Sequence, residues 1–448
     1  MSIVNDILSG IEKELLGAIN SAISSVVRGP TDDIMPGDIE ILGITLLSED
    51  QQRQYDLMSQ CKSIDIFEDV TSPVIFAEMS IADSIGLMQD FPIIGEEYVS
   101  ISFRTPKTEG EPAKYLFRVN QVKDKVVTEN NKMVTYTLQL VSAELMRNTN
   151  LYIYNSYERN ISDIVGEIVA EDLTTQKPVS IDKTSGIEKI NVTKMEPFKA
   201  IDFLRRRAIS TEYESSSFVF FENRSGFVFT TLEKLMNEGQ KQFAAGASDK
   251  EFFFDTIRKD SFKSVNIRNI LAYNQITFTD TISKVQNGGL TNVVSAFDLI
   301  TGSLTKTTYT NNIGADKFKF ADNNSASMNS TGFNQKHGKT TASDKFIAIR
   351  SDKPSNNLPE KLSKLQAYAI AMSQNIVQIH IYGDSAIQIG DVIKCHFPAA
   401  TSFENSTGEA RLDSGNYLVT KVRHMILNTD RPQHSISLEL IKGGLTET

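Results

Sequence analysis

Gly383-Asp-Ser-Ala-Ile-Gln-Ile-Gly-Asp-Val-Ile-Lys-Cys395, Ser414-Gly-Asn-Tyr-Leu-Val-Thr-Lys-Val-Arg-His-Met-Ile426 and His434-Ser-Ile-Ser-Leu-Glu-Leu-Ile-Lys442 read as strands separated by turns. Ile387, Ile389 and Val392-Ile393 flank a Gly390-Asp391 turn. Leu418-Val419, Val422 and Ile426 make a second apolar run, and Ile436, Leu438 and Leu440 alternate strictly with polar residues. The stretch predicts a small β-barrel rather than an active site.

Residues 37–147 carry the same texture. Ile39–Leu46, Ser63–Phe67, Val99–Phe103, Tyr115–Val119 and Val134–Leu140 alternate apolar and polar, and Phe91-Pro92-Ile-Ile-Gly95-Glu-Glu-Tyr98 is a turn leading into a strand. Two pieces repeat across the chain: Gly95-Glu96 against Gly390-Asp391, and Leu138-Gln-Leu140 against Leu438-Glu-Leu440. The expectation is two related barrels in one chain.

Between them the period changes. Asn160 is placed to cap a helix carrying Ile164, Val165, Ile168 and Val169, with Asp163 in its first turn. Pro197 opens a second helix with Phe198, Ile201, Leu204 and Ala208 on one face. Ser217–Thr230 then reads as a Phe-rich hairpin around Glu222-Asn-Arg-Ser-Gly226, with glycine where a positive φ is needed.

The order of barrel, Phe-rich insert and closing barrel resembles the baseplate hub proteins of contractile-tailed bacteriophages. The run Met195–Leu204 with its Phe-Phe-Glu-Asn-Arg-x-Gly hairpin resembles that family's α/β insert. The fold class expected is mainly β with an α/β insert, two tube-like β-barrels per chain and an N-terminal helix. The expected domains are an amphipathic helix (1–30), a first tube-like barrel (31–150), an α/β insert (151–250), a second barrel from 251–300 and 360–448, and a polar extended excursion (301–359). In the N-terminal helix Ile7, Ile11 and Leu15 lie on an apolar stripe that Arg28-Gly29-Pro30 ends. Covering its own barrel, docking on a partner subunit and inserting into a membrane all remain open for it. The helix opened by Pro359 leads into the strand Ile376–Ile381.

The resemblance implies a homotrimer. Three copies with two barrels each form a pseudo-sixfold ring between a six-fold tail tube and a three-fold central spike, touching baseplate wedge proteins and lining a channel for viral DNA. The chain stops six residues after Lys442, so the spike is expected to be a separate protein. Its place would be the virion's tail baseplate, assembled in the host cytoplasm.

Bulk numbers agree with that class. A chain of 448 residues should divide into about three packed units. A net charge of −10 disfavours nucleic-acid binding but suits a lumen through which DNA passes without specific binding. No secretion signal is visible, and no run approaches the roughly 18 apolar residues of a membrane span, so membrane insertion is not expected. The two cysteines, Cys61 and Cys395, are either a distant disulfide or two reduced buried thiols.

Catalytic signatures are thin. There is no phosphate-loop or dinucleotide fingerprint, and Asn287-Gly288-Gly289 is a turn signal. No cofactor is expected. His380, His396, His424 and His434 could converge on a metal if the last barrel closes, but strand alternation points neighbours to opposite faces. Arg205-Arg206-Arg207 is either a solvated face or an intersubunit salt-bridge patch. Carboxylate pairs such as Asp32-Asp33 and Glu96-Glu97 fall in turn-like segments. A hub without catalysis is therefore expected. The alternatives are the hub of a DNA-free secretion or tailocin machine, a tail-associated cell-wall hydrolase, and a monomeric carbohydrate-binding protein.

Overall fold

The computed structural model describes residues 35–49, 52–106, 111–127, 133–213, 216–254, 267–277, 291–310, 342–349, 375–398, 410 and 413–442. The helix expected over 3–27, with Ile7, Ile11 and Leu15, and the helix opened by Pro359 lie outside these residues.

The first β unit contains β1 (Glu40–Leu47), β2 (Gln54–Asp56), β3 (Cys61–Asp69), β4 (Phe76–Asp83), the short helix α1 (Leu87–Asp90), β5 (Tyr98–Arg104), β6 (Ala113–Val127) and β7 (Val134–Val141). Its strands follow the order β3-β4-β7-β6-β5-β1. Alternation buries one face, with Ile64, Met79, Ile101, Phe117, Val119 and Leu138 packed in a single core. Each such side chain contributes roughly 1.5–3 kcal/mol on leaving water.

The insert follows: α2 (Ala143–Asn150), β8 (Ile153–Arg159), α3 (Ile161–Glu167), β9 (Val179–Ile181), β10 (Glu188–Met195), α4 (Pro197–Arg205), β11 (Phe218–Asn223), β12 (Gly226–Thr231) and α5 (Leu232–Ala244). Asn160 sits at the first helix's N-cap, but its side chain makes no capping bond, and the helix runs on into a π turn over Ile168–Asp172. Pro197 opens α4 as its sequence predicts, burying Phe198, Ile201 and Leu204. In the β11–β12 hairpin Phe218 stacks on Phe229 at 4.7 Å. Gly226 holds φ at +130°, and a Cβ there would land on the Pro178 carbonyl. Only glycine fits.

The last unit contains β13 (Glu251–Phe254), β14 (Asn269–Thr277), β15 (Thr291–Asp298), β16 (Leu304–Thr310), β17 (Ala342–Ile349), β18 (Asn375–Tyr382), β19 (Val392–His396), β20 (Gly415–Leu427) and β21 (Gln433–Lys442). Six of these close a barrel, β14-β18-β21-β20-β19-β13, sealed by the β13–β14 and β13–β19 pairings. The polar segment is not wholly an extended excursion: β15, β16 and β17 form their own three-stranded sheet. Residues 291–298, expected in the second barrel, belong there instead. Val294 and Ala296 are buried there, so the apolar half of this segment serves the small sheet.

The two units share one strand order. Reading each in chain order, β1, β3, β4, β5, β6, β7 take the places of β13, β14, β18, β19, β20, β21. The registers also coincide. Val119 faces Leu140 and Val122 faces Leu138, with a bulge between; Val419 faces Leu440 and Val422 faces Leu438, with a bulge at the same place. Met79 faces Leu138 as Ile379 faces Leu438. β3 bulges between Cys61 and Ser63, and β14 between Ile270 and Ala272, each before the rung opposite Ser80 or His380. Such agreement of rungs and bulges reflects one ladder built twice. The ladders also differ: β6 bulges a second time between Lys123 and Val126, and β14 between Gln275 and Thr277, where β20 and β3 do not. β1 runs antiparallel to β5, whereas β13 runs parallel to β19. The first unit is also open between β1 and β3, where the bond from Leu57 N–H to the Ile44 carbonyl bridges the gap.

Candidate assembly interface

Both units join in one continuous thirteen-stranded sheet through β20 and β3. The first rungs of β20 close its own barrel, Gly415 to Leu418 facing Cys395 to Val392. Past the bulge at Thr420 the same strand turns to β3, from Lys421 opposite Asp69 to Leu427 opposite Ser63. One long strand therefore serves two partners along one edge.

The inner face of this joint is apolar apart from Glu68 and a histidine pair. Glu68 is buried; it accepts a hydrogen bond from the Tyr115 hydroxyl at 2.9 Å and one from the Ile389 N–H at 3.3 Å. Burial pushes its carboxyl up to about 7, outweighing those two bonds. Burial, with Glu68 beside it, also holds the Tyr115 phenol well above its usual value. His424 Nδ1 lies 3.1 Å from His434 Nε2, and Phe103 packs edge-on to both rings. Burial drives His434 down to about 3 and, helped by His434 and Arg224, drives His424 well below the ordinary range. Both rings are neutral at physiological pH, so one donates to the other.

Outside the ladder, polar bonds lock the units. Thr105 N–H donates to Ser385 Oγ at 3.0 Å, and Ser385 N–H donates to Thr105 Oγ1 at 2.8 Å. Arg224, on the insert's hairpin, donates to the Ser385 carbonyl. On the outer face Arg423 pairs with Asp65 at 3.1 Å, and Arg431 donates to Asp38 at 2.8 Å. Within the insert Lys177 bonds Glu144 at 2.7 Å and also Glu222, whose other oxygen ties the insert to the first barrel by accepting from the Ile75 N–H. Burial opposes the Lys177 charge, but Glu222 and Glu144 outweigh it and raise its pKa. Glu222, the more deeply buried carboxylate, is still pushed up by burial against the pull of Lys177.

The four histidines named from the sequence do not converge. His424 and His434 meet; His396 bonds Glu251 at 2.7 Å and stacks on Phe253; His380 stands opposite Ser437 on the other face, driven down to about 4 by burial and then by Arg423. Among the described residues no group of three or more His, Cys, Asp or Glu is placed to hold a metal. Cys61 and Cys395 are both free and buried, and burial pushes the Cys61 thiol up to about 12. No described helix is long and apolar enough to cross a membrane.

Arg205 and Arg206 both bond Asp202 one turn earlier in their own helix, and Arg207 lies over the Phe203 ring at 3.7 Å. These pairings consume part of the charge read from the sequence as a surface patch. The sequence reading missed Glu68, although a signal existed: it follows Ile64 and Ile66 at the next inward position of an alternating strand. Thr105 and Ser385 carry no such signal, because their meeting depends on the docking of two units.

No family model matches the sequence, and none of the curated proteins does. Solved structures do share the fold. A tail protein from Neisseria meningitidis MC58 superposes with a TM-score of 0.53 at 10% identity, over 89% of this chain and 96% of that one. The 43 kDa tail protein of prophage MuSo2 from Shewanella oneidensis gives 0.50 at 10% identity, over 90% and 98%. A chain of the Francisella PdpA–VgrG complex gives 0.50 at 8% identity, over 98% of this chain and 63% of that one.

Proposed function

We propose that this chain, which has the fold of phage tail proteins, is the structural hub of a contractile-tail baseplate. Three copies form a ring of six barrels that joins a six-fold tail tube to a three-fold spike and lines the DNA channel. The observation that carries the reading is the doubled ladder: the same strand order, with matching rungs and two matching bulges, in two units of one polypeptide. A three-fold assembly of such chains offers six near-equivalent barrels to a six-fold partner, which relieves a symmetry mismatch.

The role is assembly rather than catalysis: Glu68, Tyr115, His424 and His434 at the joint between the units are buried inside it. The stripe of Ile7, Ile11 and Leu15 and the exposed guanidinium of Arg206, beside Arg205 and Arg207, are assigned to contacts with neighbouring tail proteins. The domain limits remain those of the sequence reading, with 291–298 moved to the small sheet. The protein would be assembled in the host cytoplasm and reside in the virion's tail baseplate.

Light scattering and low-resolution imaging of the purified protein test this. The expected particle has three times the chain mass and is a three-fold ring with a central hole. A monomer at all concentrations refutes it. The same fold in the chain of the Francisella PdpA–VgrG complex supports a second reading, the hub of a contractile secretion machine that carries no DNA. Capsid and terminase genes beside this gene favour the first; their absence favours the second.

A further inference from the structure

The internal joint has an unmade counterpart. β6 is the equivalent of β20, and its residues beyond Arg118 face no strand on the β5 side among the described residues. β14 is the equivalent of β3. Only its first two residues, Asn269 and Ile270, face β13; the rest of that edge meets no described strand. Among the described residues, each unit therefore leaves open the half of the joint that the other unit has filled.

Both edges carry exposed apolar residues. Val126 and Val127 on β6 are 57% and 50% exposed, and Tyr273 and Ile276 on β14 are 40% and 44%. At the made joint the positions matching Val127 and Tyr273 are closed: Ile426 and Ile64, which face each other, are 1% and 0% exposed.

We infer that β6 of one copy pairs antiparallel with β14 of the next, repeating the β20–β3 joint between subunits. The inference rests on the trimer reading above and specifies its contact. Its register follows from the ladders. Val127 faces Val134 as Ile426 faces His434, and Tyr273 faces Ile379 as Ile64 faces Met79. Since Ile426 faces Ile64, Val127 faces Tyr273 of the next copy. The rung before it, made by Met425 and Asp65 in the internal joint, sets Val126 against Asn274. The two edges differ, so the contact is head-to-tail, and three such contacts make the ring of the trimer reading. Unpaired strand edges carrying apolar side chains are otherwise a liability, and this pairing removes it.

The test uses the full chain with Val126→Cys and Asn274→Cys together, then each alone, oxidised and run without reductant. The native thiols are buried and do not compete. The double variant is expected to give covalent dimers and trimers, and the single variants none. A second pair, Val127→Cys with Tyr273→Cys, probes the adjacent rung, and circular dichroism verifies that every variant is folded. If light scattering gives a trimer and neither pair cross-links, the strand pairing is wrong while the trimer stands. If the wild-type chain is monomeric, the trimer reading fails and this contact with it.

Discussion

Replacing Glu68 with Gln should remove a pH dependence built into the joint. In the folded chain burial holds this carboxyl at about 7, against 4.5 when solvated. The folded state thus keeps a proton that the unfolded state releases. The associated stability is complete below pH 4.5 and is lost as the pH rises through 7. That shift corresponds to roughly 3 kcal/mol, most of which falls between pH 5 and pH 8.5. Glutamine accepts from Tyr115 without ionising, so the variant should gain that share relative to wild type over this interval. The protein contains no Trp, so tyrosine emission during urea unfolding reports the transition that frees Tyr115. Comparing the two proteins at each pH cancels the titration of all other groups. If the stability difference between them is the same at pH 5 and pH 8.5, Glu68 is ionised in the folded chain and the reasoning is wrong.

Lys177→Met leaves Glu144 and Glu222 without their cation and should cost about 3–5 kcal/mol, read as a lower urea midpoint for the insert. Thr105→Val strands the Ser385 N–H and should cost about 1–3 kcal/mol, with faster proteolysis between the units. Gly226→Ala drives a methyl into the Pro178 carbonyl in a backbone region closed to alanine; a loss of about 2 kcal/mol or more is expected in thermal unfolding. His434, neutral when folded, contributes stability above pH 6.5 that is lost as the pH falls toward 3. His434→Met should flatten that acid limb in a pH series of unfolding midpoints.

The repeat was legible because it is written in inward-facing residues. Leu138 and Leu140 reappear as Leu438 and Leu440, and the glycine-acid turns before β5 and β19 survive because both hold their backbone at positive φ. The direction of the first strand was not legible, since alternation is the same read forwards or backwards. β4 passed unnoticed although Ala77, Met79 and Ile81 alternate with Glu78 and Ser80, because the exposed Phe76 and the buried Ile75 before it put apolar residues on both faces. The sheet of β15, β16 and β17 was hidden because its strand β16 is Thr-rich, with Thr305, Thr307, Thr308 and Thr310 in seven residues, and sits in a polar run. At the joint, Glu68 could have been singled out from its inward phase, whereas its partners Tyr115 and Ile389 come from distant segments that only the closed structure brings together.

The rungs between β20 and β3 are formed inside a single polypeptide, so connectivity rather than cellular abundance sets how often those edges meet. In a ring of three such chains, half the joints exist before any two molecules collide. Closure then depends on the third power of chain concentration, where a ring of six separate barrels would depend on the sixth. Dilution can release linked pairs of barrels but never odd ones, so incomplete rings lacking a single barrel do not arise.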